Sequence, residues 1–104
     1  MQPRQPGFVI RFKAKPGKGD ELFRACTDLH YTGDPDGPVD WVLSRSIEDP
    51  DAMWAFEFYR DDASFDRHYS NPALDEGHQK IMGLLADDDE GPDVREHVRI
   101  ESSS

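Results

Sequence analysis

The sequence predicts a single α+β domain in which a strand, a helix, two strands, a helix and a final strand follow one another. Three observations support this fold class. Four segments have the residue patterns of strands, the first and the last with clear alternation of apolar and polar residues, and two segments carry apolar residues at helical spacing. The chain has 104 residues, without a linker long enough to divide it. We therefore expect one domain over residues 1–104, with its core at about 8–101.

The first strand is predicted over residues 7–15, GFVIRFKAK, because its side chains alternate between two faces. Its apolar face carries Phe8, Ile10, Phe12 and Ala14. The glycines and proline of the following PGKGD end the strand. Residues 20–31, DELFRACTDLHY, then show the apolar spacing of an amphipathic helix, and Asp20 is a suitable N-terminal cap.

Residues 40–47, DWVLSRSI, and 52–59, AMWAFEFY, are predicted to form a β-hairpin through the turn EDPD. If Ile47 pairs with Ala52, the facing pairs are Arg45 with Trp54, Leu43 with Phe56, and Trp41 with Phe58. The other face carries Glu57, a charge that is costly beneath apolar helices. The face predicted to lie under the helices therefore holds Trp41, Arg45, Trp54, Phe56 and Phe58, beside Phe8 and Ile10.

A second helical region is predicted from Asp62, with an interruption near Pro72, and it resumes through ALDEGHQKIMGLLADD. A final strand is predicted over residues 93–101, where Val94, Val98 and Ile100 alternate with charged residues. The complete order is the β-α-β-β-α-β unit of the ferredoxin-like fold, which implies a four-stranded antiparallel sheet.

The third strand is apolar on both faces, whereas two helices cover only one face of a four-stranded sheet. The opposite face would be left exposed and apolar unless another surface covers it. We therefore expect a symmetric homodimer that associates through the sheet face opposite the helices.

The composition limits the partners. Twelve basic and 22 acidic residues give a net charge of −10, which disfavours nucleic acid and anionic membranes. Much of the acidic excess lies in GDPDG and ADDDEGPD, which are typical of solvated loops. The single cysteine excludes an internal disulfide, and the chain shows neither a membrane span nor a signal-peptide core. A soluble, cytoplasmic protein is the expectation.

Histidines are the main candidates for chemistry. His78 shares a helical stripe with Leu74, Ile81 and Leu85 and must face the sheet with them. His68 lies beside the same inward face, and His30 borders the apolar stripe of the first helix. Each is interpretable as a core-edge histidine with one hydrogen bond. Several imidazoles converging over aromatic side chains would instead line a small-molecule pocket.

The remaining candidates are weaker. Arg45 is open to two interpretations, a cation–π partner of Trp54 or a group that grips a substrate oxyanion. Asn71 precedes a proline and is first of all a turn residue. The two histidines lack the compact spacing of metal ligands, and nucleotide-binding glycine motifs are absent from the sequence. We expect neither a metal nor a cofactor.

Several segments resemble the antibiotic biosynthesis monooxygenase (ABM) family, in the dimeric α+β barrel superfamily. They are RFKAKPGKGDELF, LSRSIEDPDAMWAFEFYRDDASFDRHYSNPAL and VREHVRIE, and together they span roughly residues 8–101. The most specific part is a Glu-x-aromatic ending of the third strand followed by a histidine, here Glu57, Tyr59 and His68. The aromatic is usually tryptophan in the family, so Tyr59 is a departure.

The resemblance implies a dimeric ferredoxin-like fold and oxidation of an aromatic polyketide or quinol by O2 without metal, flavin or haem. A histidine would deprotonate the substrate, and the resulting enolate would pass an electron to O2. A polyketide cyclase or isomerase, or a non-catalytic dimer that binds a small hydrophobic ligand, remains an alternative. Haem-degrading relatives place Asn, Trp and His where this chain has Ile10, His68 and His78. Only His78 matches, which leaves haem binding open and makes haem degradation doubtful.

The sequence therefore yields a specific set of site residues. His78 is the first choice for the base, and His68 is the second, with Tyr69 as its hydrogen-bond partner. The predicted substrate-binding residues are Arg45, Trp41, Trp54, Phe56, Phe58, Phe65 and Asn71.

Overall fold

The computed structural model describes residues 1–30, 34–86 and 91–103. In these ranges the strands are β1 (Pro6–Lys13), β2 (Asp40–Arg45), β3 (Ala52–Phe58) and β4 (Val94–Arg99). The helices are α1 (Gly19–His30), α2 (Asp62–Tyr69) and α3 (Asp75–Leu84), and a 3₁₀ turn, Pro72–Leu74, separates the last two. Tyr31, at the predicted end of the first helix, and the acidic residues 87–90 lie outside the described residues.

The sheet is antiparallel, with the strand order β2-β3-β1-β4. The helices pack on one of its faces, where Leu22 and Cys26 of α1 and Ile81 of α3 meet Met53 of β3. This arrangement is the predicted ferredoxin-like α+β fold, and the prediction is confirmed. None of the helices described is long and apolar enough to cross a membrane.

The predicted register of the hairpin is wrong by one residue. Arg45 lies opposite Met53, Leu43 opposite Ala55 and Trp41 opposite Glu57. The turn explains the difference, because the Ser46 N–H donates to the Ala52 carbonyl at 3.0 Å. The Ser46 hydroxyl also accepts from the N–H groups of Glu48 and Asp49, so the turn begins one residue earlier than predicted.

This shift exchanges the two faces of β3, because side chains alternate along a strand. Met53, Ala55 and Glu57 face the helices. The aromatic residues Trp54, Phe56 and Phe58 lie on the opposite face, where each is partly buried. Their predicted position under the helices is therefore wrong, whereas Trp41 and Arg45 do lie on the helix side.

The predicted interruption near Pro72 is present. The side chain of Asn71 accepts from the N–H of Ala73 at 3.0 Å and thereby caps the 3₁₀ turn. Leu74, Ile81 and Leu85 are buried, as the predicted stripe requires.

The start of α1 is held by the hairpin turn rather than by Asp20. Oδ1 of Asp51 accepts from the N–H of Gly19 at 3.0 Å, and Oδ2 accepts from the N–H of Gly17 at 3.1 Å. Gly17 has a φ of 80°, a conformation that favours glycine. Asp20 instead pairs with Arg45 at 2.5 Å, so its predicted capping role is wrong.

Candidate functional site

A cavity of about 390 Å³ lies between the helices and the helix-side face of the sheet. Its apolar walls come from the sheet and from α1 and α3, and include Ile10, Phe12, Leu29, Leu43, Ile81 and Met82. Its polar lining includes His30, Asp34, Glu57, His68, His78 and Arg95. An apolar cavity of this size with a few convergent polar groups suits a small molecule.

The floor of the cavity is open because a small residue lies at its centre. Ala55 of β3 is paired with Ile10 of β1 on one side and with Leu43 of β2 on the other. All three residues line the cavity. A methyl group at this position leaves space between the flanking aliphatic side chains, whereas a larger side chain would fill it.

His68, near the end of α2, is held by a carboxylate. Its Nδ1 lies 2.8 Å from Oδ2 of Asp34, and the two side chains are only 11% and 8% exposed. Because a carboxylate only accepts, Nδ1 carries the hydrogen and Nε2 is left as the basic nitrogen. Tyr69, the predicted hydrogen-bond partner, instead lies edge-on to the His68 ring and also lines the cavity.

Asp34 is itself fixed by a small network. The N–H of Asp36 donates to its Oδ1 at 2.9 Å, and Nδ2 of Asn71 donates to its Oδ2 at 3.4 Å. Burial acts to raise the pKa of Asp34, but the bonds from Asp36, His68 and Asn71 outweigh it and hold the pKa below its ordinary value. Asp34 therefore remains an anion behind the His68 ring.

His30, at the end of α1, forms a second histidine–carboxylate pair. Its Nε2 lies 2.6 Å from Oε2 of Glu57, and its Nδ1 lies 2.9 Å from the carbonyl oxygen of Cys26. Burial lowers the pKa of His30, but Glu57 and the Cys26 carbonyl together raise it above its ordinary value. Glu57 was predicted to face away from the helices because the sequence gives no sign of this partner on α1.

His78 of α3 lines the cavity while remaining exposed to solvent. Burial within the cavity wall, followed by the nearby His68, holds the pKa of His78 below its ordinary value despite the opposing effect of Glu57. Its imidazole is therefore mostly neutral at pH 7 and available as a proton acceptor.

Arg95 of β4 closes another side of the cavity. Its guanidinium carbon lies 4.5 Å from the ring centre of Phe8 and 5.7 Å from that of Tyr69. The alternation of VREHVR places Arg95 and His97 on one face of β4, which is the signal that could have identified Arg95. The contact between Asp34 and His68 had no such signal, because 34 residues separate the two.

Several predicted substrate-binding residues lie elsewhere. Arg45 binds Asp20 and the carbonyl oxygen of Pro50, and because Trp54 lies on the other face of the sheet, the cation–π interpretation of Arg45 is wrong. Trp41 packs against the His30 ring with 4.4 Å between ring centres. Trp54, Phe56 and Phe58 are on the far side of the sheet from the cavity.

Phe65 and Asn71 each contact a residue that lines the cavity. Phe65 lies in an aromatic cluster with Phe8, Tyr59, Tyr69 and His97. Asn71 binds Asp34, as described above. In the described part of the chain, no group of three or more His, Cys, Asp or Glu side chains is placed so that it could hold a metal ion.

Comparison with known proteins identifies one matching family. The sequence profile of the family named antibiotic biosynthesis monooxygenase matches residues 7–80, which is more than half of the chain. A search of curated proteins found no significant match.

Solved structures share the fold. A candidate antibiotic biosynthesis monooxygenase from Chloroflexus aurantiacus is 21% identical, with 96% of each chain covered and a TM-score of 0.78. Another from Caulobacter crescentus is 19% identical over 96% of this chain and 92% of that chain, with a TM-score of 0.77. SnoaB from Streptomyces nogalater, a cofactor-independent oxygenase, is 18% identical over 97% and 95% of the two chains, with a TM-score of 0.72.

Proposed function

Because the chain belongs to the antibiotic biosynthesis monooxygenase family, we propose that it acts in the cytoplasm as a cofactor-independent monooxygenase. Its substrate would be a small aromatic molecule of the polyketide or quinol type, which it would oxidise with O2. The cavity supports this proposal through its apolar walls and three imidazoles, and SnoaB provides a cofactor-independent oxygenase with the same fold.

The observation that carries the proposal is the contact between His68 and Asp34 in the wall of the cavity. A histidine whose Nδ1–H is held by a buried carboxylate has a fixed tautomer, and its partner stabilises the imidazolium that forms on proton transfer. His68 with Asp34 is therefore the base that the geometry favours. His78, which is mostly neutral but exposed, is the second candidate.

The reaction follows from removal of one proton. The base takes a proton from an activated C–H group, or from the O–H group of a quinol, and the resulting carbanionic carbon adds to O2 by way of one-electron transfer and radical recombination. The imidazolium returns its proton to the peroxide. Loss of the remaining C–H proton at that carbon with cleavage of the O–O bond then gives a carbonyl group and water. The substrate supplies the electrons, so the protein has to position it, exclude water and move the proton.

Arg95 is suited to stabilise the oxygen anion that develops during this step. It is the guanidinium in the cavity wall, and its contacts with the rings of Phe8 and Tyr69 restrain it. A fixed cation in an apolar surrounding stabilises developing charge more strongly than the same cation in water.

Oxygen uptake by chelator-treated protein tests the proposal, with a panel of anthrones and hydroquinones as substrates. We expect His68→Gln to reduce uptake by about 10²-fold or more, as loss of a general base does. His97→Gln is a matched control, because His97 stacks on Phe65 and is not part of the cavity lining. Loss of uptake in His78→Gln, with His68→Gln unaffected, would move the base to His78.

Other outcomes favour the alternative functions. Conversion of a polyketide substrate without oxygen would support a cyclase or isomerase. A haem spectrum that depends on His78, without substrate turnover, would support a ligand-binding protein. Absence of uptake across the panel, together with either result, would contradict the monooxygenase proposal.

A homodimer is part of the same proposal. The sheet face opposite the helices exposes the stacked rings of Trp54 and Phe56, whose centres are 6.4 Å apart, with Phe58 beside them. Val42 on the same face is 54% exposed. Pairing this face with the same face of a second copy would remove these side chains from water.

A further inference from the structure

The His30–Glu57 pair has no role in the proton transfer proposed above, and its geometry favours a charged ring. Nδ1 of His30 faces the carbonyl oxygen of Cys26 at 2.9 Å, and Nε2 faces Oε2 of Glu57 at 2.6 Å. Both neighbours accept hydrogen bonds. A neutral ring has only one N–H group, so its other nitrogen would place a lone pair against an oxygen. Protonation of the ring is therefore favoured, in line with the raised pKa of His30.

The pair is held away from bulk water. The side chains of His30 and Glu57 are 7% and 13% exposed, and the ring of Trp41 covers His30 at 4.4 Å between ring centres. A buried ion pair contributes little to stability compared with well-packed apolar residues of the same volume. Its position in a cavity wall indicates a use in recognition.

Glu57 retains capacity to accept further hydrogen bonds. A carboxylate has about four acceptor sites, and the contact with His30 involves Oε2. Glu57 also lines the cavity, whereas Nδ1 of His30 faces the carbonyl oxygen of Cys26 and Nε2 lies against Glu57 itself. The pair therefore presents an acceptor to a ligand, and not a donor.

Arg95 provides a positive charge on the other side of the cavity floor from Glu57. Arg95 and Ala55 are paired with Ile10 from its two sides, so β1 separates β4 from β3. Two strand spacings amount to roughly 10 Å. Glu57 follows Ala55 by two residues on the same face. A ligand lying over β1 thus meets a carboxylate at one end and a guanidinium at the other.

We propose that Glu57, paired with His30, accepts a hydrogen bond from an O–H or N–H group at one end of an elongated aromatic ligand, whose other end carries an anionic oxygen at Arg95. This inference rests on the cavity being the substrate site of the proposed function. It selects substrates with a donor at one end and an oxyanion at the other over those with two acceptor ends.

Nitrogen NMR tests the charge state of His30 in the wild type and in Glu57→Gln. We expect both His30 nitrogens of the wild type to keep the shifts of an imidazolium to a higher pH than in the variant, because, against the lowering effect of burial, Glu57 and the Cys26 carbonyl raise the pKa of the ring. Titration of His30 at the same pH in the two proteins would overturn the proposal.

Binding of non-reacting probes under argon tests the recognition. Anthracenemethanol has an O–H donor, and its methyl ether lacks it. We expect the alcohol to bind the wild type at least about 10-fold more tightly than the ether, as a hydrogen bond to a charged group provides. Glu57→Gln should remove most of this preference. Glu96→Gln, on the opposite sheet face beside Val9, should keep it.

Anthracenecarboxylate tests the other end. Arg95→Gln should weaken its binding about 10-fold, the effect of losing a charge-assisted hydrogen bond, whereas Arg99→Gln, whose guanidinium binds Asp62, should not. Equal binding of alcohol and ether by the wild type, or binding of neither, would overturn the proposal. Because the probes do not react, these results are independent of whether the protein consumes O2.

Discussion

Nδ1 of His68 lies 2.8 Å from Oδ2 of Asp34, so the segment after α1 is joined to α2 inside the cavity wall. The contact fixes the His68 tautomer, and Asn71, from the break after α2, binds the same carboxylate oxygen. Asp34 is a positioning residue in the proposed reaction, since it acts through His68.

Replacing Asp34 with asparagine should impair turnover more than binding. The amide keeps the volume but can donate to Nδ1, which would favour the wrong tautomer. We expect kcat for O2 uptake to fall at least about 10-fold with little change in KM. We also expect the NMR shifts of the two His68 nitrogens to exchange, as the change of tautomer requires.

Asp36→Asn is the control for this prediction. Asp36 is a neighbouring aspartate that binds Arg67, and the contact is exposed. Equal effects of the two variants on kcat would show that Asp34 has only a structural role.

His30 should make the stability of the fold depend on pH. Its pKa is raised in the folded protein, because Glu57 and the Cys26 carbonyl outweigh the effect of burial. The stabilisation is fully present below the unfolded pKa of about 6.5 and is lost as pH rises through the folded pKa.

Urea unfolding between pH 6 and pH 9 measures this effect. We expect the wild type to lose stability as pH rises, and His30→Gln to show a shallower dependence. If the two proteins had the same dependence, the His30–Glu57 pair would not be linked to folding.

The aromatic face of the sheet should determine the oligomeric state. In Phe56→Glu, a charge replaces a partly buried ring beside Trp54, and burying this charge in a dimer would be strongly unfavourable. We expect light scattering to give a dimer for the wild type and a monomer for the variant.

Ile47→Glu is a matched control, because Ile47 is an apolar residue that is fully exposed at the hairpin turn. It should remain dimeric. A monomeric wild type at micromolar concentration would contradict the proposed dimer.

Cys26 should be inert in the folded protein. Its side chain is buried in the core, where it also forms part of the cavity lining, and burial, followed by the charge of Glu57, raises the pKa of its thiol to about 12. Since the thiolate is the reactive form, we expect negligible reaction with Ellman's reagent at pH 8 and one equivalent in urea. Rapid labelling without denaturant would show that the α1–sheet interface opens readily.

The element order was predictable because hydrophobic periodicity and the turn residues agree along the chain. The Asn71–Pro72 break, for instance, was visible because Asn71 has both the position and the chemistry of a cap. The prediction of which side chains share a face was less secure. It depends on the hairpin register, and the hydrogen bonds of the turn can begin at either of two neighbouring residues. Ser46, through its hydroxyl, decides between them.

The site was predictable only in part, because its charges are paired over long distances. An unpaired Glu57 would indeed be costly under the helices, but His30 reaches it from α1 and makes the position tolerable. Asp34, within an acidic segment interpreted as a solvated loop, becomes a partner of His68 only once the chain is folded. His68, Tyr69 and His78 line the cavity, but their catalytic roles stay predictions.

The carboxylate of Asp51 ties the hairpin turn to the first residues of α1, and His30 is the last residue of the same helix. A twelve-residue helix is a rigid rod of roughly 18 Å. The hairpin turn and the His30–Glu57 pair are therefore joined through one helix, so we expect a change at Asp51 to alter the cavity even though Asp51 does not line it.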